Sequence, residues 1–110
     1  MGLKVVHWDP AWGPLSEKTM RQQLIAAGYH VAGYHYPPGT YFPPHTHAVH
    51  KRDTVLTGRL KIAWEAGAAG ESGSVVLGPG DIIEIPAGAS HSAEVVGSET
   101  VFSLDATKSP

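Results

Sequence analysis

The chain of 110 residues contains no cysteine, which excludes disulfide staples, thiolate metal ligands and a cysteine nucleophile. A chain free of cysteine suits a reducing compartment, so a cytoplasmic location is expected. No apolar run approaches the ~20 residues that a membrane span needs. The start, Met1-Gly2-Leu3-Lys4-Val5-Val6, lacks the apolar core of a signal peptide, and valine at position 6 spoils a myristoylation pattern. Charge is sparse and scattered, with eight basic and ten acidic residues and a formal net charge of −2. Without a basic run or stripe, neither a nucleic-acid nor a membrane partner is expected. There is no glycine-rich phosphate loop ahead of a helix and no G-x-S-x-G elbow. Ser90 stands beside His91, but sequence neighbours on a strand point apart and make no nucleophile–base pair.

What the chain does have is punctuation. Thirteen glycines and nine prolines suit many short strands joined by tight turns. One helix is expected over residues 16–27, where Ser16 is placed to cap, Met20, Leu24 and Ala27 recur at helical spacing, and Gly28 stops the run. It should lie across the outside of the β structure. Strands are expected at residues 3–8, 29–36, 41–47, 49–57, 59–66, 74–77, 81–85, 92–96 and 100–106. The segment from Arg59 to Ala66 alternates most cleanly, with Leu60, Ile62 and Trp64 on one face and Arg59, Lys61 and Glu65 on the other. Residues 67–73 read as a flexible hairpin tip, and the tail from Thr107 as frayed. No repeat, low-complexity tract or domain boundary interrupts residues 1–110, so a single domain is expected.

The chemistry concentrates in two segments. Gly39-Thr-Tyr-Phe-Pro-Pro-His45-Thr-His47 puts two histidines one residue apart, on the same side of an extended chain. Gly80-Asp-Ile-Ile-Glu-Ile-Pro86-Ala-Gly88-Ala-Ser-His91 places a third just after a Pro-x-Gly turn. Together these segments resemble the paired motifs of the cupin superfamily. Gly39, His45, His47 and Gly58 fill the first motif, and Gly80, Pro86, Gly88 and His91 fill the second. Two positions depart from it: the first motif's glutamate falls at Lys51, or at Arg52 with the alternative spacing, and the second motif's final asparagine is Val95. The motifs span residues 39–58 and 80–95.

The resemblance implies an all-β fold, a double-stranded β-helix barrel of jelly-roll type with one short N-terminal helix, whose interior can hold a small ligand. It also implies a divalent transition metal (Fe, Mn, Ni, Cu or Zn) held by His45, His47 and His91, with coordination positions left open. Pairing into a homodimer is a further expectation from the resemblance.

Lys51 is the unusual feature, because it sets a cation where the family carries an anionic ligand. If the strand continues in register, Lys51, Asp53 and Val55 face inward with His45 and His47. Lys51 then pairs with Asp53, or serves as a neutral base, or binds a substrate carboxylate; a bulge would instead turn it to the surface. Lys51 and Asp53 are therefore the catalytic candidates, and Asp53 is also a substitute metal ligand. His50, of opposite parity, is expected to face solvent or a neighbouring subunit. Tyr34, Tyr36, Tyr41 and Phe42 could line the cavity mouth, Glu94 could support the site from behind, and Trp64 and Phe102 are expected in the core.

Two functions stand open. The first is a small metal-dependent enzyme, of dioxygenase, isomerase or related type, acting on a small polar metabolite. The second is a non-catalytic cupin that binds or senses a small molecule, with or without metal. A barrel with a vestigial pocket is the bland alternative. The absence of an attached DNA-binding segment speaks against a self-contained regulator.

Overall fold

The structure, a computed structural model, describes residues 2–110. The elements follow in the order β1 (Lys4–Val6), α1 (Glu17–Ala26), β2 (His30–Tyr36), β3 (Tyr41–His45), β4 (His50–Thr54), β5 (Leu60–Trp64), β6 (Gly73–Leu77), β7 (Ile82–Ile85), β8 (His91–Val95) and β9 (Val101–Lys108). The sequence leads to the same strands. It does not lead to the 3-10 turn at Pro10–Trp12, which starts on a proline and is capped by the Asp9 side chain accepting from Ala11 N. The ends differ as well: β9 runs on to Lys108, which donates from Nζ to Ala27 O at 3.2 Å.

Helix α1 begins where its capping chemistry puts it. Thr19 N donates to Ser16 Oγ at 3.1 Å and Ser16 N donates to Thr19 Oγ1 at 2.9 Å, a reciprocal box built with threonine. Gly28, with φ of +89°, ends it in the left-handed region. Met20 and Leu24 are fully buried and pack with Ile82, Leu104 and Ala106 on the outer face of the larger sheet. The helix lies outside the barrel, as its pattern requires.

All strand pairs are antiparallel. One sheet has the order β1-β7-β4-β9-β2 and the other β3-β8-β5-β6. The main core draws Val55, Ile83, Ile85 and Val101 from the first sheet and its connections, and Leu60, Ile62, Trp64, Leu77, Ala93 and Val95 from the second. Strand β5 alternates buried and half-buried along its length as its sequence predicts.

The break between the sheets falls inside the first motif. Strand β3 ends at His45 on one sheet and β4 begins at His50 on the other, so residues 46–49 carry the chain across. An uninterrupted strand from His45 to Val55 therefore does not form. Lys51 and Asp53 do face the interior, but because β4 pairs with β7 and β9 rather than by continued alternation from His45. Gly58 closes the motif with φ of +77°, where an added Cβ would stand 3.0 Å from Thr100 O. Only glycine meets both conditions without strain.

Candidate metal centre

Strand β3 carries Pro43 and Pro44, which have no N–H to give a ladder, and it lies at a sheet edge where that loss is tolerated. The β3–β8 register slips between Phe42 and His45, and the slip sets His45 directly opposite His91. His91 therefore comes from the neighbouring hydrogen-bonded strand. His47 lies beyond the strand end, tied by its carbonyl to Gly88 N at 2.9 Å, so the Pro-x-Gly turn of the second motif anchors the last histidine of the first.

The three rings then converge. Ring centroids lie 4.4 Å apart for His45 and His91, 4.8 Å for His45 and His47, and 5.3 Å for His47 and His91. One nitrogen from each lies within 4.8 Å of the other two. His45 Nδ1 sits 2.7 Å from Pro43 O, and His91 Nδ1 sits 2.9 Å from Ala89 O. A carbonyl only accepts, so both Nδ1 atoms carry a proton, and Nε2 is the nitrogen of each ring left to offer a lone pair to a metal.

The third ring supplies the test of fit. His47 Nε2 is buried and has no hydrogen-bond partner among the described residues. Burial first, then the charge of Lys51 and the other two histidines, pushes the His47 imidazole down from 6.5 to about 4. Burial likewise lowers His91, against the opposing pull of its bond to Ala89. Two adjacent imidazoles held neutral, one with an orphaned buried nitrogen, are the donor set that a divalent transition metal requires. His45, His47 and His91 fit such an ion.

The three histidines line a cavity of about 200 Å³ together with Tyr36, Phe42, Leu60, Ala93, Lys51, Asp53 and Asp105. A larger cavity of about 380 Å³, lined by Leu3, Lys4, Tyr29, Ala69 and Glu84 among others, contains none of the three. The chemistry sits in the smaller space. An outer cavity of about 280 Å³ adjoins it through His47, Lys51 and Asp105, with His30, Val31, Ala32 and Tyr34 of β2 on its rim.

Lys51 points inward, its side chain 11 % exposed. Its Nζ lies 3.2 Å from Asp53 Oδ1 and 4.0 Å from Asp105 Oδ2. Of the alternatives for this lysine, the structure brings it to Asp53 and excludes a surface orientation. Asp53 is not among the donor groups gathered within 4.8 Å of one another at the histidines. It stands with Lys51 instead.

Two residues of the site escape the sequence reading in whole or in part. Asp105 lies directly opposite Asp53 in the β4–β9 ladder, where its Oδ1 accepts from Ser103 Oγ at 2.7 Å and its Oδ2 from Tyr36 Oη at 3.1 Å. Burial, followed by the Asp53 charge, raises its carboxyl above the ordinary value. Tyr36, expected at the cavity mouth, is a wall of the cavity; burial and Asp105 push its phenol up, so it remains a donor. The available signal is parity: Val101, Ser103 and Asp105 share one face of β9, and an acid on an otherwise buried face stands out.

The remaining candidates separate. Phe42 lines the site and Tyr34 the outer cavity, whereas Tyr41 is exposed. Trp64 is core, while Phe102 is half-buried under a stacked His35. Glu94 lies on the outer face of β8, away from His91, Ala93 and Val95. His50 does not face freely outward: its Nδ1 accepts from Ala87 N at 3.0 Å, bracing the turn that precedes His91.

Residues 34–106 match the sequence profile of the cupin domain, so this chain belongs to the cupin family. No curated protein sequence matches it. Among solved structures, acireductone dioxygenase from Bacillus anthracis, with a cadmium ion in its active centre, superposes with a TM-score of 0.73 at 17 % identity, covering 96 % of this chain and 77 % of that one. Oxalate decarboxylase from Bacillus subtilis gives 0.65 at 19 % identity; it matches 99 % of this chain, which spans only 26 % of that enzyme. The cupin domain of Drosophila melanogaster CENP-C gives 0.65 at 16 % identity, over 71 % of this chain and 59 % of that one. At these identities the likeness is one of fold. No helix is long and apolar enough to cross a membrane among the described residues.

Proposed function

We propose that this cupin is a metal-dependent enzyme, of oxygenase or isomerase type, that acts on a small polar metabolite at His45, His47 and His91. The observation that carries the reading is the buried, unpartnered Nε2 of His47 beside two imidazoles whose Nδ1 atoms are already satisfied by carbonyls. A divalent metal on these nitrogens would supply Lewis acidity and open positions for dioxygen or a substrate oxygen.

The chain's own residues supply the rest. Pro43 O and Ala89 O hold the rings of His45 and His91 in one tautomer and orientation. Phe42, Leu60 and Ala93 give the cavity a dry wall that strengthens its polar contacts. Tyr36, held by Asp105, is a fixed neutral donor at its edge.

One observation favours a non-catalytic binder: Lys51 and Asp53 neutralise one another and bring no carboxylate to the histidines. Elemental analysis of untagged protein by plasma mass spectrometry, beside His47→Ala and Lys51→Glu, separates the readings. Near-stoichiometric metal in the wild type, lost in His47→Ala, supports the enzyme. No metal in the wild type, but uptake by Lys51→Glu, makes the metal-free binder the better reading.

A further inference from the structure

Beside the histidines the cavity holds a second polar group that a metal site leaves unused. Asp105 is fully engaged, one oxygen by Ser103 and the other by Tyr36. Asp53, directly opposite on β4, is not. It is only 6 % exposed, yet its Oδ1 accepts no directed hydrogen bond among the described residues. Lys51 Nζ lies 3.2 Å from that oxygen, close enough for an ion pair but off the direction of a hydrogen bond. The second carboxylate near Lys51, Asp105 Oδ2, is 4.0 Å away, beyond hydrogen-bond reach. A buried acceptor without a donor is costly unless something completes it.

We propose that Lys51 and Asp53 form a neutral clasp for a ligand hydroxyl, so that this cavity takes small uncharged hydroxylated molecules rather than carboxylates. An ammonium only donates and a carboxylate only accepts. A group lodged against both must accept from Lys51 and donate to Asp53, and a hydroxyl does both. A ligand carboxylate would meet Asp53, and a ligand ammonium would meet Lys51. No excess positive charge is left to attract an anion, because Asp53 already balances the lysine. The cavity's roughly 200 Å³ corresponds to about six or seven waters' share of liquid volume, and the apolar side chains of Phe42, Leu60 and Ala93 suit a short carbon skeleton. The inference rests on the metal reading only for the far end of the ligand, which would face the histidines.

Four hydroxamates with a common metal-binding end test it: glycolohydroxamate carries a hydroxyl, acetohydroxamate a methyl, malonic monohydroxamate a carboxylate and glycine hydroxamate an ammonium. They are titrated into the Co(II)-loaded full chain and followed by the cobalt absorption bands. The hydroxyl ligand should bind at least about tenfold tighter than the methyl one, the increment of a hydrogen bond to a charged partner, and tighter than either charged ligand. Asp53→Asn should move the preference toward the carboxylate, and Lys51→Met toward the ammonium. The double variant Lys51→Met/Asp53→Leu, which replaces the pair by apolar groups, should erase the hydroxyl's advantage while the cobalt bands persist. Any other ligand binding tightest to the wild type, or equal affinity for hydroxyl and methyl, overturns the clasp. Failure of Co(II) to bind defeats the metal reading alone. The same ranking, measured on metal-free protein by saturation-transfer NMR, then decides the clasp.

Discussion

Asp53 and Asp105 stand directly opposite one another on β4 and β9, and the ammonium of Lys51 lies 3.2 Å from the first and 4.0 Å from the second. Like charges at directly opposed strand positions repel, so the lysine at the family's glutamate position compensates a buried acidic pair. Lys51→Met should destabilise the fold by about 3 kcal/mol, the cost of leaving a buried charge unpaired. Lys51→Met/Asp53→Leu should recover most of that loss. Chemical denaturation midpoints check both, and an unchanged midpoint in Lys51→Met would contradict the pairing.

Two groups should give metal-free protein opposite pH slopes. Burial and Asp53 raise Asp105 above 3.8, so the native state keeps a proton that the unfolded chain has released. Stability from this group is full below 3.8 and is lost as pH rises through the raised value; Asp105→Asn should remove that decline. His47 runs the other way, lowered from 6.5 to about 4. Its contribution is full above 6.5 and is lost as pH falls toward 4, and His47→Gln should flatten that limb. The ring as a whole is only partly buried although Nε2 is closed off, so solvent screens the effect. Thermal melts between pH 3 and pH 8 read both slopes.

Metal should stabilise the protein by mass action. At a free concentration about 100-fold above its Kd, an ion that binds only the native state adds about 2.7 kcal/mol, a rise of order 10 °C in Tm for a domain of this size. Chelator should reverse the rise. His45→Ala, His47→Ala and His91→Ala should each abolish it, and Asp53→Ala should retain it. Scanning calorimetry with and without Co(II) gives the comparison.

Gly58→Ala tests the turn that closes the first motif. Its φ of +77° and the 3.0 Å approach of Thr100 O to an added Cβ should cost about 2 kcal/mol. A Tm within 1 °C of wild type would show that the turn relaxes freely.

Much of this was legible in the chain. The strands follow from period-two alternation and from glycine–proline punctuation, both local signals. Helix α1 is marked by Ser16 before it and Gly28 after it; Ser16 caps it, and Gly28 turns the chain away with a positive φ just past the C-cap Ala27. The three metal-ligand candidates were legible because motif spacing names them without requiring their contacts. Tyr36 and Asp105 lie 69 positions apart, and no local pattern links them.

The sequence by itself determined the residue types, their alternation and the turn positions, and its likeness to the cupin motifs implied the barrel and singled out His45, His47 and His91 as candidates. Tertiary structure alone decided how those residues meet. The slip at Pro43-Pro44 put His45 opposite His91, the crossing at residues 46–49 moved Lys51 onto the other sheet, and the β4–β9 register set Asp53 against Asp105. Strand pairing is a relation between distant segments, and a shift of one residue exchanges inner and outer faces. The chemistry of this cavity therefore depends on register as much as on composition.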